Sequence, residues 1–126
     1  MIEIRREDFC VDDIIRRMKA PKVGALSIYV GTVREFPEGV GLEFEDDSRA
    51  ARILREIRER AINRFDVDDV AIIHRVGLLG ISENIVLVAV SAVHREPAFT
   101  ACKSIIDDIK DLHKSWGKEV WKHKST

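Results

Sequence analysis

Val70-Ala71-Ile72-Ile73-His74, the glycine-bounded Gly77-Leu78-Leu79-Gly80-Ile81-Ser82, and Ile85-Val86-Leu87-Val88-Ala89-Val90-Ser91-Ala92-Val93 form the stretch whose reading decides the fold. The two apolar runs are rich in β-branched residues and read as strands, with the segment between them read as a turn. A return across so short a connection is antiparallel, because a parallel return needs a crossover of a dozen residues or more. An antiparallel pair set among helices predicts the α+β class.

Outward from this pair the pattern alternates between periods. Pro97 sits where a first-turn proline belongs, and Ala98, Cys102, Ile105, Ile109 and Leu112 form the buried stripe of a last long helix. Upstream, Asp47 or Ser48 caps a second long helix whose apolar positions are Ala51, Leu54, Ile57, Ala61, Ile62 and Phe65. Leu42 to Glu45 alternates as a short strand does, after a Pro- and Gly-containing loop from Arg34 to Gly41. Val23 to Val33 carries no charge and reads as a largely buried strand, its two glycines marking bulges or close backbone approach. Val11, Ile14, Ile15 and Met18 recur at helical spacing, and Ile2 and Ile4 alternate as in an edge strand. Three helices and a mainly antiparallel sheet are expected, in a single domain over residues 1–126.

Composition narrows the function classes. The chain has 126 residues, 45% of them hydrophobic and 34% charged, with 21 Lys+Arg against 22 Asp+Glu. Such a chain builds a real core and is neither disordered nor uniformly basic, so no general nucleic-acid coat and no membrane-surface role is expected. From Lys110 onward, however, five lysines face only Asp111 and Glu119, net +3, leaving −4 on the preceding 109 residues. Cys10 and Cys102 are far apart and outside any CxxC pattern; both are expected to be buried thiols in a reducing compartment. Met1 to Glu7 lacks a signal-peptide core, so a cytoplasmic location is expected.

Basic residues gather where chemistry would need them. Arg34 ends a strand, the pairs His74-Arg75 and His94-Arg95 each end another, and Lys103, Lys110 and Lys114 share a face of the last helix. Strand-end arginines meeting a helix lysine make an anion pocket, since Arg donates bidentate hydrogen bonds to phosphate and Lys supplies a point charge, an acid or a nucleophile. Taken singly, each cluster reads instead as solvated surface, and the lysine face, which also carries Asp107, Asp108 and Asp111, as a salt-bridged one. His74, His94, His113 and His123 lack zinc-ligand spacing, so neither a metal nor a cofactor is expected. No dinucleotide fingerprint, P-loop or nucleophile-elbow motif is present.

Several pieces in order carry a resemblance: Gly24-Ala25 before Tyr29-Val30-Gly31-Thr32-Val33-Arg34, then Ile73-His74-Arg75-Val76-Gly77, then Val90-Ser91-Ala92-Val93-His94-Arg95 with Ala98-Phe99, then Ile106-Asp107-Asp108-Ile109-Lys110. This series resembles the large, catalytic subunit of molybdopterin synthase, the MoaE family, from about Gly24 to Glu119. The resemblance implies an α/β hammerhead-type fold and a sulfur-transfer enzyme of molybdenum cofactor biosynthesis. Its substrate would be cyclic pyranopterin monophosphate, which receives a dithiolene. Sulfur would come from the C-terminal Gly-Gly thiocarboxylate of a small ubiquitin-like partner, in a heterotetramer built on a homodimer of the large subunit. By the same resemblance Arg34, His94 and Arg95 bind substrate, with Thr32 on the same segment as Arg34, and Lys110 is the essential lysine. The chemistry suits these types, because a phosphate needs cationic donors and carbons under sulfur attack need a proton donor or a transient amine.

The departure lies in Lys114-Ser115-Trp116-Gly117-Lys118-Glu119, where Gly117 occupies the position of the family's second functional lysine. Aligned without a gap, Lys118 supplies that amine one residue later and is the preferred candidate; a five-residue insertion would make Lys122 the equivalent. The expected set is then Lys110 and Lys118 as catalytic amines, with Thr32, Arg34, His94, Arg95, Gly117 and Lys118 facing substrate. The competing expectation is a binding or scaffolding homologue that keeps the fold and dimer but has lost turnover.

Overall fold

The computed structural model describes residues 1–122. His123 and Lys124, one of the four histidines and one of the five C-terminal lysines, lie outside the described residues. The elements run β1 (Ile2–Arg5), α1 (Val11–Met18), β2 (Ala25–Thr32), β3 (Gly39–Phe44), α2 (Ser48–Arg64), β4 (Asp69–Arg75), β5 (Gly77–Gly80), β6 (Asn84–Ala92), α3 (Arg95–Trp116) and β7 (Lys118–Trp121).

The strands form two sheets. A four-stranded sheet has the order β1-β4-β6-β2, and a three-stranded one the order β5-β3-β7. The deciding pair is antiparallel as expected, with Val70 opposite Val90 and Ile72 opposite Val88. Among the described residues only β1 runs parallel to its neighbour, Ile2 opposite Ile72, and it is an edge strand. One face of the larger sheet presents Val70, Ile72, Val86, Val88 and Val90 to Leu54 and Ile57 of α2 and Ile105 and Ile109 of α3. The other face packs Ala71, Ile73, Leu87 and Ala89 against Phe9, Ile14 and Met18 around the short α1. A fully buried Leu such as Leu54 is worth about 1.5–3 kcal/mol relative to exposure, so this double burial explains why β4 and β6 read as unbroken apolar runs.

Local chemistry sets the helix limits. Asp47 is the N-cap of α2, its carboxylate accepting from the Arg49 backbone N–H at 2.8 Å. Pro97 falls in the first turn of α3, where its missing N–H is not needed. The predicted stripe of Ala98, Cys102, Ile105, Ile109 and Leu112 is buried throughout.

Several expectations are corrected. The turn-like Gly77–Gly80 segment is a strand, pairing from Gly77 opposite Phe44 to Gly80 opposite Gly41, with Leu79 buried and Leu78 exposed in period-two alternation. Gly77 does turn the chain, with φ +99°, but pairing with the distant β3 then holds Leu78, Leu79 and Gly80 extended. A second unpredicted strand, β7, adds to the other edge of β3. The strand from residue 25 is at the sheet's edge and only half-buried along Ala25–Val30, because a single partner, β6, flanks it. Cys10, at the entrance to α1, is exposed; Cys102 alone is buried. Among the described residues no helix is long and apolar enough to cross a membrane.

Candidate active site

The path of α3 creates the site. It starts where β6 ends and packs back over β6 and β2, so its C-terminal turns lie over the start of β6 and the end of β2. Two adjoining cavities open there. One, about 160 Å³, is walled by Tyr29, Gly31, Thr32, Ile85, Val86, Val88, Ile106, Ile109, Lys110 and His113. The other, about 480 Å³, shares Tyr29, Gly31, Thr32 and Lys110 and adds Val30, Arg34, Glu35, Phe36, Leu42 and Glu119. Thr32 and Lys110 thus stand on the partition between the two. The register breaks at Gly31/Thr32, and the resulting bulge lets β2 leave the sheet there toward Arg34.

Ion pairing separates the lysines of α3. Lys103 reaches Asp107 at 3.0 Å and Lys114 reaches Asp111 at 3.3 Å, the salt-bridged surface that spacing alone predicts. Lys110 and Arg34 have no carboxylate within ion-pair distance among the described residues, although Glu35 and Glu119 line the same cavity. Two cations and two carboxylates therefore share one wall without neutralising one another in direct pairs.

The remaining expected residues are distributed elsewhere. His94 is the N-cap of α3 and Arg95 its first residue, both exposed. At ~1.5 Å of rise per residue, the fifteen residues from Arg95 to Lys110 span about 22 Å. Exposed Val93 (51%) and Phe99 (60%) flank them. Lys118 is exposed, 3.9 Å from Glu45, and strand alternation sets it on the face opposite Glu119. Lys122 is exposed, its backbone N–H donating to the Glu38 carbonyl. Neither lysine lines the two cavities, nor does Gly117. Gly117 instead faces Phe44: a Cβ there would lie 2.9 Å from Cε1 and 3.1 Å from Cζ of that ring. Arg75 is structural, donating to the Arg6 and Asn84 carbonyls and pairing with Glu83 at 3.2 Å.

His74 lies wholly inside (0% exposed) in an aromatic cluster with Phe44, His113 and Trp116. Its Nδ1 is 2.7 Å from the Arg75 carbonyl oxygen and its Nε2 is 2.7 Å from Nε2 of His113. A carbonyl only accepts, so His74 carries its proton on Nδ1, and the bare Nε2 accepts from Nε2–H of His113. Burial pushes His74 down to about 3, with His113 adding to the effect. Burial and the nearby Lys110 charge push His113 down to about 4. Both rings are neutral at pH 7. Trp116 closes the cluster, donating its indole N–H to the Glu45 carbonyl at 2.8 Å.

Glu119, Phe36 and His113 are wall residues that the motif pieces did not single out, and Tyr29 opens one of those pieces but was given no role there. Period-two alternation in the final segment would have set Glu119 opposite Lys118; nothing local marks Phe36 or His113. Among the described residues no group of three or more His, Cys, Asp or Glu side chains is arranged to hold a metal ion.

Comparison with known proteins places the fold. The family model described as MoaE protein matches residues 4–112. A molybdopterin synthase catalytic subunit from Thermoplasma volcanium is 34% identical over 123 residues, covering 94% of this chain and 90% of that protein. The crystal structure of molybdopterin synthase from Staphylococcus aureus superimposes with a TM-score of 0.84 at 30% identity, covering 98% of this chain and 93% of that one. A complex of subunits 1 and 2 of molybdopterin-converting factor from Helicobacter pylori has a TM-score of 0.76 at 18% identity, a likeness of fold.

Proposed function

The chain belongs to the MoaE family, and from that premise we propose that it is the catalytic subunit of a molybdopterin synthase. It moves sulfur from the C-terminal thiocarboxylate of a small ubiquitin-like partner onto cyclic pyranopterin monophosphate, forming the dithiolene. The observation that carries this reading is the pairing state of the wall: Lys110 and Arg34 line one cavity and have no carboxylate partner among the described residues, while Lys103 and Lys114 on the same helix are paired. Thiocarboxylate and phosphate are both anions, so the cavity's unpaired positive groups attract them. Lys110 stands on the partition, where it serves as proton donor or transient amine at the carbon that sulfur attacks. Arg34 and Thr32 hold the phosphate-bearing part of the substrate.

A second copy of the chain completes the site. In one copy the cavity's formal charge balances, Arg34 and Lys110 against Glu35 and Glu119. His94 and Arg95 supply the missing positive charge, but lie about 22 Å along the helix from Lys110. The exposed Val93 and Phe99 beside them give a second copy an apolar surface to cover. In the homodimer His94 and Arg95 of one subunit meet the Arg34–Lys110 wall of the other.

Reconstitution with thiocarboxylated partner and precursor tests the assignment. Lys110→Ala should abolish dithiolene formation while the variant still binds the partner. A Lys110→Ala protein with the wild-type rate would remove the assigned amine.

A further inference from the structure

We propose that His113 is a positioning residue for Lys110, its ring locked by His74 so that Nδ1 remains an unprotonated acceptor for the lysine's ammonium. The inference rests on the reading of Lys110 as the reactive amine.

Three observations lead to it. First, His113 and Lys110 lie one helical turn apart on α3 and wall the same 160 Å³ cavity. Second, the lock is determinate. The Arg75 carbonyl fixes the proton of His74 on Nδ1, and the 2.7 Å contact then fixes the proton of His113 on Nε2. His113 has one polar atom left, Nδ1, which has no protein donor among the described residues. Third, Lys110 lacks the carboxylate partner that its neighbours Lys103 and Lys114 have. A neutral nitrogen one turn away is the acceptor suited to orient an ammonium without neutralising it.

The groups around His113 agree with this role. From β4 it meets His74, from β3 the Phe44 ring at 4.9 Å between centroids, and on its own helix Trp116 and Lys110. None of these supplies a negative charge, so the ring stays neutral and its lone pair stays free. The same cluster explains the departure at Gly117. Phe44 packs against the histidine pair and occupies the space a Cβ at 117 would need, so a lysine at 117 and this aromatic cluster compete for one volume.

Residue replacements that imitate each nitrogen separately provide the test. Asn presents an acceptor near the Nδ1 position, whereas Gln presents a donor near Nε2. In single-turnover reactions of the complex with thiocarboxylated partner, His113→Gln and His113→Ala should slow dithiolene formation about tenfold, the worth of one orienting hydrogen bond, with precursor affinity unchanged. His113→Asn should recover most of that loss. Equal rates for Asn and Gln variants, or a loss confined to precursor affinity, would overturn the proposal. Lys110→Ala is run alongside: its inactivity with no Asn/Gln difference sinks only the positioning role, whereas an active Lys110→Ala sinks the reading beneath it. A measurement independent of turnover is the long-range proton–nitrogen NMR spectrum of the folded protein at pH 7. It should show His113 protonated on Nε2 alone and His74 on Nδ1 alone, and a proton on His113 Nδ1 would overturn the inference even if every variant unfolds.

Discussion

Gly117 and Phe44 are in contact so close that the smallest possible side chain at 117 would meet the ring at 2.9 Å. The backbone there is not left-handed, φ −78°, so the constraint is space and not conformation. Gly117→Ala should lower stability by about 1–3 kcal/mol, the usual cost of overpacking, read from the urea midpoint at unchanged slope. Gly117→Lys, which restores the residue type expected at this position, should be less stable than wild type and no faster. Full stability in both variants would mean that Phe44 yields freely.

Acid should act through the histidine pair. Unfolded, each imidazole takes its proton near 6.5; folded, His113 waits until about 4 and His74 until about 3. Between those limits the unfolded chain binds more protons, so stability falls as pH falls from about 6.5 toward about 3 and is unaffected by this pair above that window. The loss is on the order of a few kcal/mol. Urea titrations at several pH values should show it in wild type and a much flatter dependence in the His74→Phe, His113→Leu double variant. Parallel curves would assign the acid sensitivity elsewhere.

Lys118 and Lys122 are separable by substitution. Lys118 points away from Glu119 and lines neither cavity, but only a weak 3.9 Å surface pair with Glu45 holds it, so its long side chain is free to swing toward the site. Lys118→Ala should therefore slow single-turnover sulfur transfer with little change in stability, and Lys122→Ala should not. The reverse order of effects would identify Lys122 as the second amine.

Complementation tests the shared site. Homodimers of Lys110→Ala, and of the His94→Ala, Arg95→Ala double variant, should each be inactive. Mixed and allowed to reassort, they should regain up to about a quarter of wild-type activity, because each mixed dimer keeps one intact site in two. No recovery, with exchange verified by mass, would mean that all these residues act within one subunit.

Much of this was legible in residue patterns, because the patterns were local. The uncharged β-branched run from Ile85 and the helical stripe from Ala98 are short-range signals, and they placed β6 and α3 correctly. The gap between Arg95 and Lys110 was hidden, since the pattern sets Arg95 at the end of a strand, whereas it is the first residue of α3 and helical rise fixes its separation from Lys110. Gly77–Gly80 misled because its glycines mark a turn locally, while its pairing with β3 depends on residues more than thirty positions earlier. The meeting of His74 with His113 is of the same kind: neither spacing nor composition says that a strand end and a helix end share one hydrogen bond. Glu119 was invisible as a wall residue until β7 was known to be a strand.

The parallel seam between β1 and β4 has a consequence for how the chain acquires its shape. Arg5 must find Arg75 and Thr32 must find Asn84, whereas His74 needs only to fold back onto Val86. Loop-closure entropy rises with the length enclosed, so the β4–β6 hairpin is the least costly nucleus and the N-terminal edge is zipped on afterward. During synthesis residues 1–68 emerge with no sheet partner for Ile2 and Ile4. The cavity wall at Thr32 is completed only once β6 has left the ribosome, which makes the two cavities among the last features of the fold to exist.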